Sequence, residues 1–233
     1  MTPSDRIIVA LDVDNLEKAK GLVEGLSPHV GCFKVGLELI TAAGAPQVVK
    51  FIHTLGGEIF FDGKFDDIPN TVGAASKAVA AMGVKMFNVH ASCGIESMKA
   101  AVANKGKSLL LAVTVLTSID EKTCQHIFGK SPAEKVLQLA LDAAEAGVDG
   151  IICSPKDLSS LSKESKLKNL MKVTPGVRPD WASKGDQKRT MTPAEAIRAG
   201  ATALVIGRPI TSPPTEIGTP VDAAKKILEE ILC

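Results

Sequence analysis

Short β-branched and apolar runs alternate with longer Ala-, Lys- and Glu-rich segments of helical spacing along the whole chain. The strand-like runs are "RIIVALD", "CFKVG", "EIFFDGK", "MFNVHA", "LLLAVTVL", "GIICS", "LMKVTPG" and "ALVIG", each followed by a helical or loop segment. Near-continuous apolar runs read as strands buried on both faces, which places them in a parallel sheet covered by helices. Eight such units in 233 residues are what a (β/α)8 barrel requires. An open doubly wound sheet is the competing arrangement, but the glycine-rich fingerprint expected after its first strand is missing. The expected fold is therefore α/β, a TIM barrel forming a single domain over residues 1–233.

The helical segments carry their own punctuation. In "SPAEKVLQLALDAAEAG", Ser131 stands at the N-cap, Pro132 in the first turn and Gly147 past the end. "MTPAEAIRAG" repeats the scheme, with Thr192 and Pro193 opening the helix and Gly200 closing it. No Pro-, Gly- and Ser-rich tract interrupts the pattern as a linker would, and a hydrophobic content of 45% can supply a full core.

A formal net charge of +1 gives no global field to attract nucleic acid or an anionic membrane, so neither is expected as a partner and any anion must be held locally. The opening "MTPSDRIIVALDV" enters a strand almost at once, without the features of a signal peptide. No apolar run reaches the ~18 residues that a membrane span needs. Cys32, Cys93, Cys124, Cys153 and Cys233 are scattered without C-x-x-C spacing, which argues against a zinc site or a disulfide framework and for a reducing, cytoplasmic setting. Each thiol reads as a small buried hydrophobe. His29, His53 and His126 lack a partner at ligand spacing, so no metal site is expected.

Charge collects where a barrel does its chemistry, at the C-terminal ends of strands. Asp12 closes the first strand, Lys34 lies late in the second, and Asp62 and Lys64 close the third, with Asp67 following in the loop. Side chains two apart in a strand point the same way, so Asp62 and Lys64 share a face. If that face is the barrel mouth, Asp62, Lys64 and Asp67 form an acid–base–acid array. A lysine between carboxylates is held as ammonium, a poor Schiff-base nucleophile but well suited to stabilising a developing anion and then protonating it. A surface salt-bridge cluster is the alternative. Phe60 and Phe61 before the cluster, and Ile68 and Pro69 after it, argue instead for an anchored, partly buried segment, and buried ion arrays are disproportionately functional.

At the other end of the chain, "ALVIGRPIT" puts Gly207 and Arg208 just after the eighth strand, where barrels often bind phosphate. Arginine adds a planar bidentate donor. The polar segment "TPGVRPDWASKGDQKRTMTP" is too long for an ordinary connection and reads as a lid. These features together point to a phosphorylated small molecule. His90 lies at a strand end and is read as a structural hydrogen-bonding residue; Trp181 is read as a packing contact.

The same residues carry a resemblance. "VALDV", "FKVG", the D-x-K-x-x-D-I-P-N-T signature at 62 to 71, "TVLTS", "PGVRP" with "GDQKR", and "LVIGRPIT" are similar to the orotidine 5'-phosphate decarboxylases, in particular their compact bacterial form, over essentially the whole length. D-x-K-x-x-D is shared with a related phosphosugar decarboxylase family, whereas the continuation "IPNT" and the later elements point to the nucleotide enzyme. The resemblance implies conversion of orotidine 5'-phosphate (OMP) to UMP and carbon dioxide, the last step of de novo pyrimidine synthesis, without cofactor or metal.

It also implies roles for particular residues. Lys64 protonates the ring carbon that loses the carboxylate, and Asp62 lies against that carboxylate. Asp67, Ile68 and Thr71 reach into a neighbouring subunit's site, so a homodimer is needed. Asp12 and Lys34 contact the ribose hydroxyls and complete the charged network, and Thr117 faces the pyrimidine edge. Gln187, the Gly207 backbone, Arg208 and Arg178 hold the phosphate, with the segment from Arg178 to Thr190 closing over it. Gly63 and Asp66 depart from the family's usual residues; Gly63 is expected to loosen the strand end, and Asp66 to perturb the charged network beside Asp67. The rival readings are a metal-assisted phosphosugar enzyme on the same barrel, a silent phosphate-ligand-binding barrel, and a Schiff-base aldolase using Lys34 or Lys64.

Overall fold

The structure is a computed structural model that describes residues 2–183 and 191–232. Eight parallel strands follow one another around it: β1 (Ile7–Leu11), β2 (Cys32–Val35), β3 (Ile59–Phe65), β4 (Met86–His90), β5 (Leu109–Val113), β6 (Gly150–Ile152), β7 (Met171–Pro175) and β8 (Ala203–Ile206). Each pairs with its sequence neighbours, and β8 closes on β1 through Ile7–Leu204, Ile8–Val205 and Val9–Ile206. The sheet is thus a closed (β/α)8 barrel with no open edge, and the doubly wound alternative is excluded. The largest boundary difference is in the fifth strand: the run "LLLAVTVL" leaves the ladder after Val113, where Thr114 turns both its N–H and its hydroxyl to the Ile152 carbonyl.

The period of two divides the strands between two cores. Ile7, Val9 and Leu11, Phe33 and Val35, Ile59 and Phe61, and Phe87 and Val89 point outward and pack with the helices. Ile8 and Ala10, Cys32, Phe60, Met86, Leu111, Val173, Ala203 and Val205 fill the barrel interior. The side chains are packed to exclusion of water: Phe33, Phe60 and Phe87 are almost wholly buried, each worth about 1.5–3 kcal/mol by transfer.

The inward set has a consequence for function. Two residues on from Ala10, Cys32, Phe60 and Met86 come Asp12, Lys34, Asp62 and Asn88, so a polar layer rests directly on the apolar plug at the C-terminal end of β1–β4. Pairing of Lys34 with Ala10 on one side and Phe60 on the other fixes its place between the first and third strands.

The helices form where their punctuation predicts. Ser131 caps Pro132–Ala146 in a reciprocal capping box with Glu134, and Gly147 ends it in the left-handed conformation. Thr192 and Glu195 make the same box at the start of Pro193–Arg198. At the opposite rim, Lys85 pairs with Asp5 at 3.2 Å and Lys105 with Asp149 at 3.0 Å, ion pairs that tie the strand beginnings together away from the mouth.

Candidate active site

Four charges stand in line across three strands at the mouth. Lys34 Nζ is 3.1 Å from Asp12 Oδ1 and 3.4 Å from Asp62 Oδ2, and Lys64 Nζ is 2.7 Å from Asp62 Oδ1. The row therefore reads Asp12, Lys34, Asp62, Lys64, alternating in sign. Asp62 is its deepest member, with a side chain 10% exposed. Burial pushes the Asp62 carboxyl up, but Lys34, Lys64 and hydrogen bonds from Lys64 and Asn88 outweigh it and hold the group below the usual carboxylate range. Gly36 leaves room for this arrangement, since a Cβ there would lie 3.1 Å from Lys34 Nζ.

The end of β3 is locally distorted. Its register with β4 shifts between Phe61 and Phe65, and Lys64 has φ +50°, the one positive value for a non-glycine residue among those described. That conformation costs about 1–2 kcal/mol for a residue with a Cβ and persists where surrounding contacts impose it. The Lys64 N–H donates to Asn88 Oδ1 at 2.8 Å, and Asn88 Nδ2 donates to Asp62 Oδ1 at 2.7 Å. At Gly63 the absence of a Cβ leaves room for two aromatic rings of the same strand. A Cβ at that position would lie 2.6 Å from the Phe61 ring and 3.1 Å from that of Phe65, and the two rings stand 6.2 Å apart.

Lys34, Asp62 and Lys64 form one wall of a cavity of about 220 Å³ that Thr117 also lines, while Val115, Ile152 and Val205 form apolar wall. Cys153 belongs to that wall: burial pushes its thiol up to about 12, so it is neutral. A second recess, of about 90 Å³, is lined by Arg178, Arg208, Ser183 and Ser212. Arg178 sits at the base of the long loop, where Val177 bridges Met191 and the Arg178 N–H donates to the Met191 carbonyl at 2.9 Å. Gly207 lies near the charged row, a Cβ there falling 3.6 Å from Asp12 Oδ2. Gln187 and the rest of 184–190 lie outside the described residues. Trp181 packs against the outer core, with Lys226 Nζ 6.0 Å from its ring centroid.

Asp67, Ile68 and Thr71 are exposed, and Asp67 and Ile68 line a separate surface concavity with Asp66, Ser97 and Glu96. The Asp67 carboxylate accepts from the Ile68 N–H at 2.7 Å. Within one chain, then, Lys64 is grouped with Asp62 and the Asp12–Lys34 pair, and the array drawn from sequence with Asp67 as its third member is not formed. Asp66 accepts from the Ser92 hydroxyl at 3.3 Å. Burial lowers the pKa of nearby His90, with Asp66 acting in the opposite sense. Among the described residues no group of three or more His, Cys, Asp or Glu side chains is placed to hold a metal ion.

A family model described as "Orotidine 5'-phosphate decarboxylase / HUMPS family" matches residues 5–227. The chain belongs to this family. Among curated relatives, the orotidine 5'-phosphate decarboxylase of Moorella thermoacetica is 46% identical, over 99% of this chain and 94% of its own length. That of Geotalea uraniireducens is 47% identical, over 97% and 95%. Among solved structures, orotidine 5'-phosphate decarboxylase from Lactobacillus acidophilus superposes with a TM-score of 0.83 at 36% identity, covering 97% of this chain and 99% of that one. The D-x-K-x-x-D-I-P-N-T stretch at 62 to 71 falls on the distorted end of β3 and the segment after it. Asn88 is the site residue the sequence reading passed over, although its place two residues after inward-facing Met86 was a signal.

Proposed function

We propose that the chain is an orotidine 5'-phosphate decarboxylase, a carboxy-lyase that converts OMP to UMP and carbon dioxide in pyrimidine synthesis. The observation that carries this reading is the Asp12–Lys34–Asp62–Lys64 row at the barrel mouth, backed by apolar wall. When the ring–carboxylate bond breaks, its electron pair stays on a ring carbon with no adjacent carbonyl to spread the charge. Stabilisation must come from the surroundings, and a fixed ammonium in a water-poor cavity supplies it without reorganising. Lys64 supports the developing anion and then passes its proton to that carbon. Asp62, kept ionised by its neighbours, lies against the departing carboxylate and holds Lys64 in line.

The remaining residues bind. Asp12 and Lys34 take the ribose hydroxyls and Thr117 the pyrimidine edge. Arg178, Arg208, the Gly207 backbone and Gln187 hold the phosphate, and binding energy from that remote group supports the closed, active state. Exposed Asp67, Ile68 and Thr71 complete the site of a second copy, so the working unit is a homodimer. The setting is the cytoplasm; among the described residues no helix is long and apolar enough to cross a membrane.

The test is the fall in ultraviolet absorbance of OMP with EDTA-treated protein, with UMP identified as product. Turnover supports the reading. A folded protein that leaves OMP intact but decarboxylates a phosphosugar acid once magnesium is added would replace it with the phosphosugar chemistry.

A further inference from the structure

Asn88 is wholly buried, 0% exposed, in the middle of β4, and it is not among the residues lining the mouth cavity. We propose that it is a positioning residue for the reaction: its single amide directs Lys64 and fixes the Asp62 oxygen that Lys64 meets. The inference rests on the decarboxylase reading of the site.

The chemistry of the two partners determines how the amide lies. A backbone N–H only donates and an ionised carboxylate only accepts, so the Asn88 oxygen must face Lys64 N and its nitrogen must face Asp62. Asp62 Oδ1 accepts from Asn88 Nδ2 and from Lys64 Nζ, both at 2.7 Å. One planar group therefore ties together the carboxylate and the backbone of the residue that carries the ammonium. It does so where β3 and β4 fall out of register, so a side chain takes over the bridging that the backbone ladder gives elsewhere. Lys64 holds φ +50° at this point. Without the amide its backbone is released toward the β region that residues with a Cβ favour, and the direction of the side chain goes with it.

Isosteric changes separate this role from simple packing. Asn88→Leu keeps the shape and removes both hydrogen bonds. Asn88→Asp keeps the shape and one acceptor, but sets a second carboxylate against Asp62. Two adjacent carboxylates share a proton with a raised apparent pKa, and a protonated introduced carboxyl offers one donor and one acceptor, as the amide does. The titratable groups around that position are Asp62 and Lys64 on β3, Lys34 beyond them on β2, and His90 further along β4. The paired residue on β5, Leu111, carries none.

The experiment measures kcat and KM for OMP, and the affinity for UMP, in the parent and both variants from about pH 5 to 9, beside thermal unfolding. A lost positioning contact typically costs about 10–100-fold, so Asn88→Leu is expected to lose roughly that much in kcat while UMP affinity stays within about threefold. Asn88→Asp is expected to be slow at neutral pH and to recover part of its kcat as the pH falls, unlike the parent. A folded Asn88→Leu with parental kcat, or an Asn88→Asp with the parent's profile, overturns the role. If Asn88→Leu does not fold, the Asn88→Asp profile decides alone. A parent that leaves OMP unchanged overturns the functional reading and this inference with it, whereas an active parent with unaffected variants overturns the inference only.

Discussion

Removing Lys34 tests whether the charged row is held together by its alternation. Lys34 is 3.4 Å from Asp62 and its side chain is 14% exposed. At an effective dielectric of about 20, a pair at that distance gains about 5 kcal/mol. Part of that is returned when the lysine's own burial is relieved, so Lys34→Met is expected to cost about 3 kcal/mol of stability at pH 7.5, the low end for breaking a buried pair. The dependence on pH identifies the cause. Burial raises the Asp62 pKa, and Lys34 is the largest of the opposing influences that leave it depressed. A depressed carboxylate stabilises the fold above its unfolded pKa of about 3.9. That stability is lost as pH falls through the folded value. In Lys34→Met the balance moves back toward burial, so Asp62, left with Lys64 and Asn88 as its partners, takes up a proton at higher pH than in the parent. The stability gap between parent and variant must therefore narrow as pH is lowered from about 7.5 to 4.5. Urea unfolding at fixed protein concentration measures it, since assembly would otherwise shift the midpoint. A gap below about 1 kcal/mol at pH 7.5, the range of an exposed pair, or one independent of pH, would refute the reasoning.

Gly63→Ala is expected to cost about 1–3 kcal/mol by forcing the Phe61 ring out of place, read in the same unfolding assay; an unchanged midpoint would show that the rings yield freely. Arg208→Ala is expected to raise KM for OMP about 10–100-fold, as loss of a charge-assisted contact to the phosphate. An unchanged KM would place the phosphate elsewhere.

The barrel was legible because burial on both faces leaves a simple trace: eight apolar runs, each long enough to cross the sheet. The charged row was legible for a related reason. Asp12, Lys34, Asp62 and Lys64 stand at the ends of such runs, where a charge is costly unless paired. Asn88 was hidden because one neutral amide inside "MFNVH" hardly disturbs an apolar run, and its function depends on a register shift in the neighbouring strand that no residue announces. The packing around Gly63 was hidden in another way. A glycine at a strand end suggests freedom, whereas here its missing Cβ leaves space for two rings from the same strand. Asp67 is close to Lys64 in sequence but separated from it in space by the turn after β3. Exposed Asp67, Ile68 and Thr71 do not line the mouth cavity of a single chain, and their assignment to a second copy's site rests on the family resemblance.

The most direct test of the account is single-turnover decarboxylation of OMP by the parent and by Lys64→Ala, with UMP binding measured in parallel. The account predicts a loss of about 10⁴-fold or more in the chemical step, the scale of removing an essential catalytic group, with UMP still bound. Lys64→Ala that is folded, binds UMP and decarboxylates OMP within about tenfold of the parent would contradict it, because a loss that small is below the usual contribution of a proton-transferring side chain.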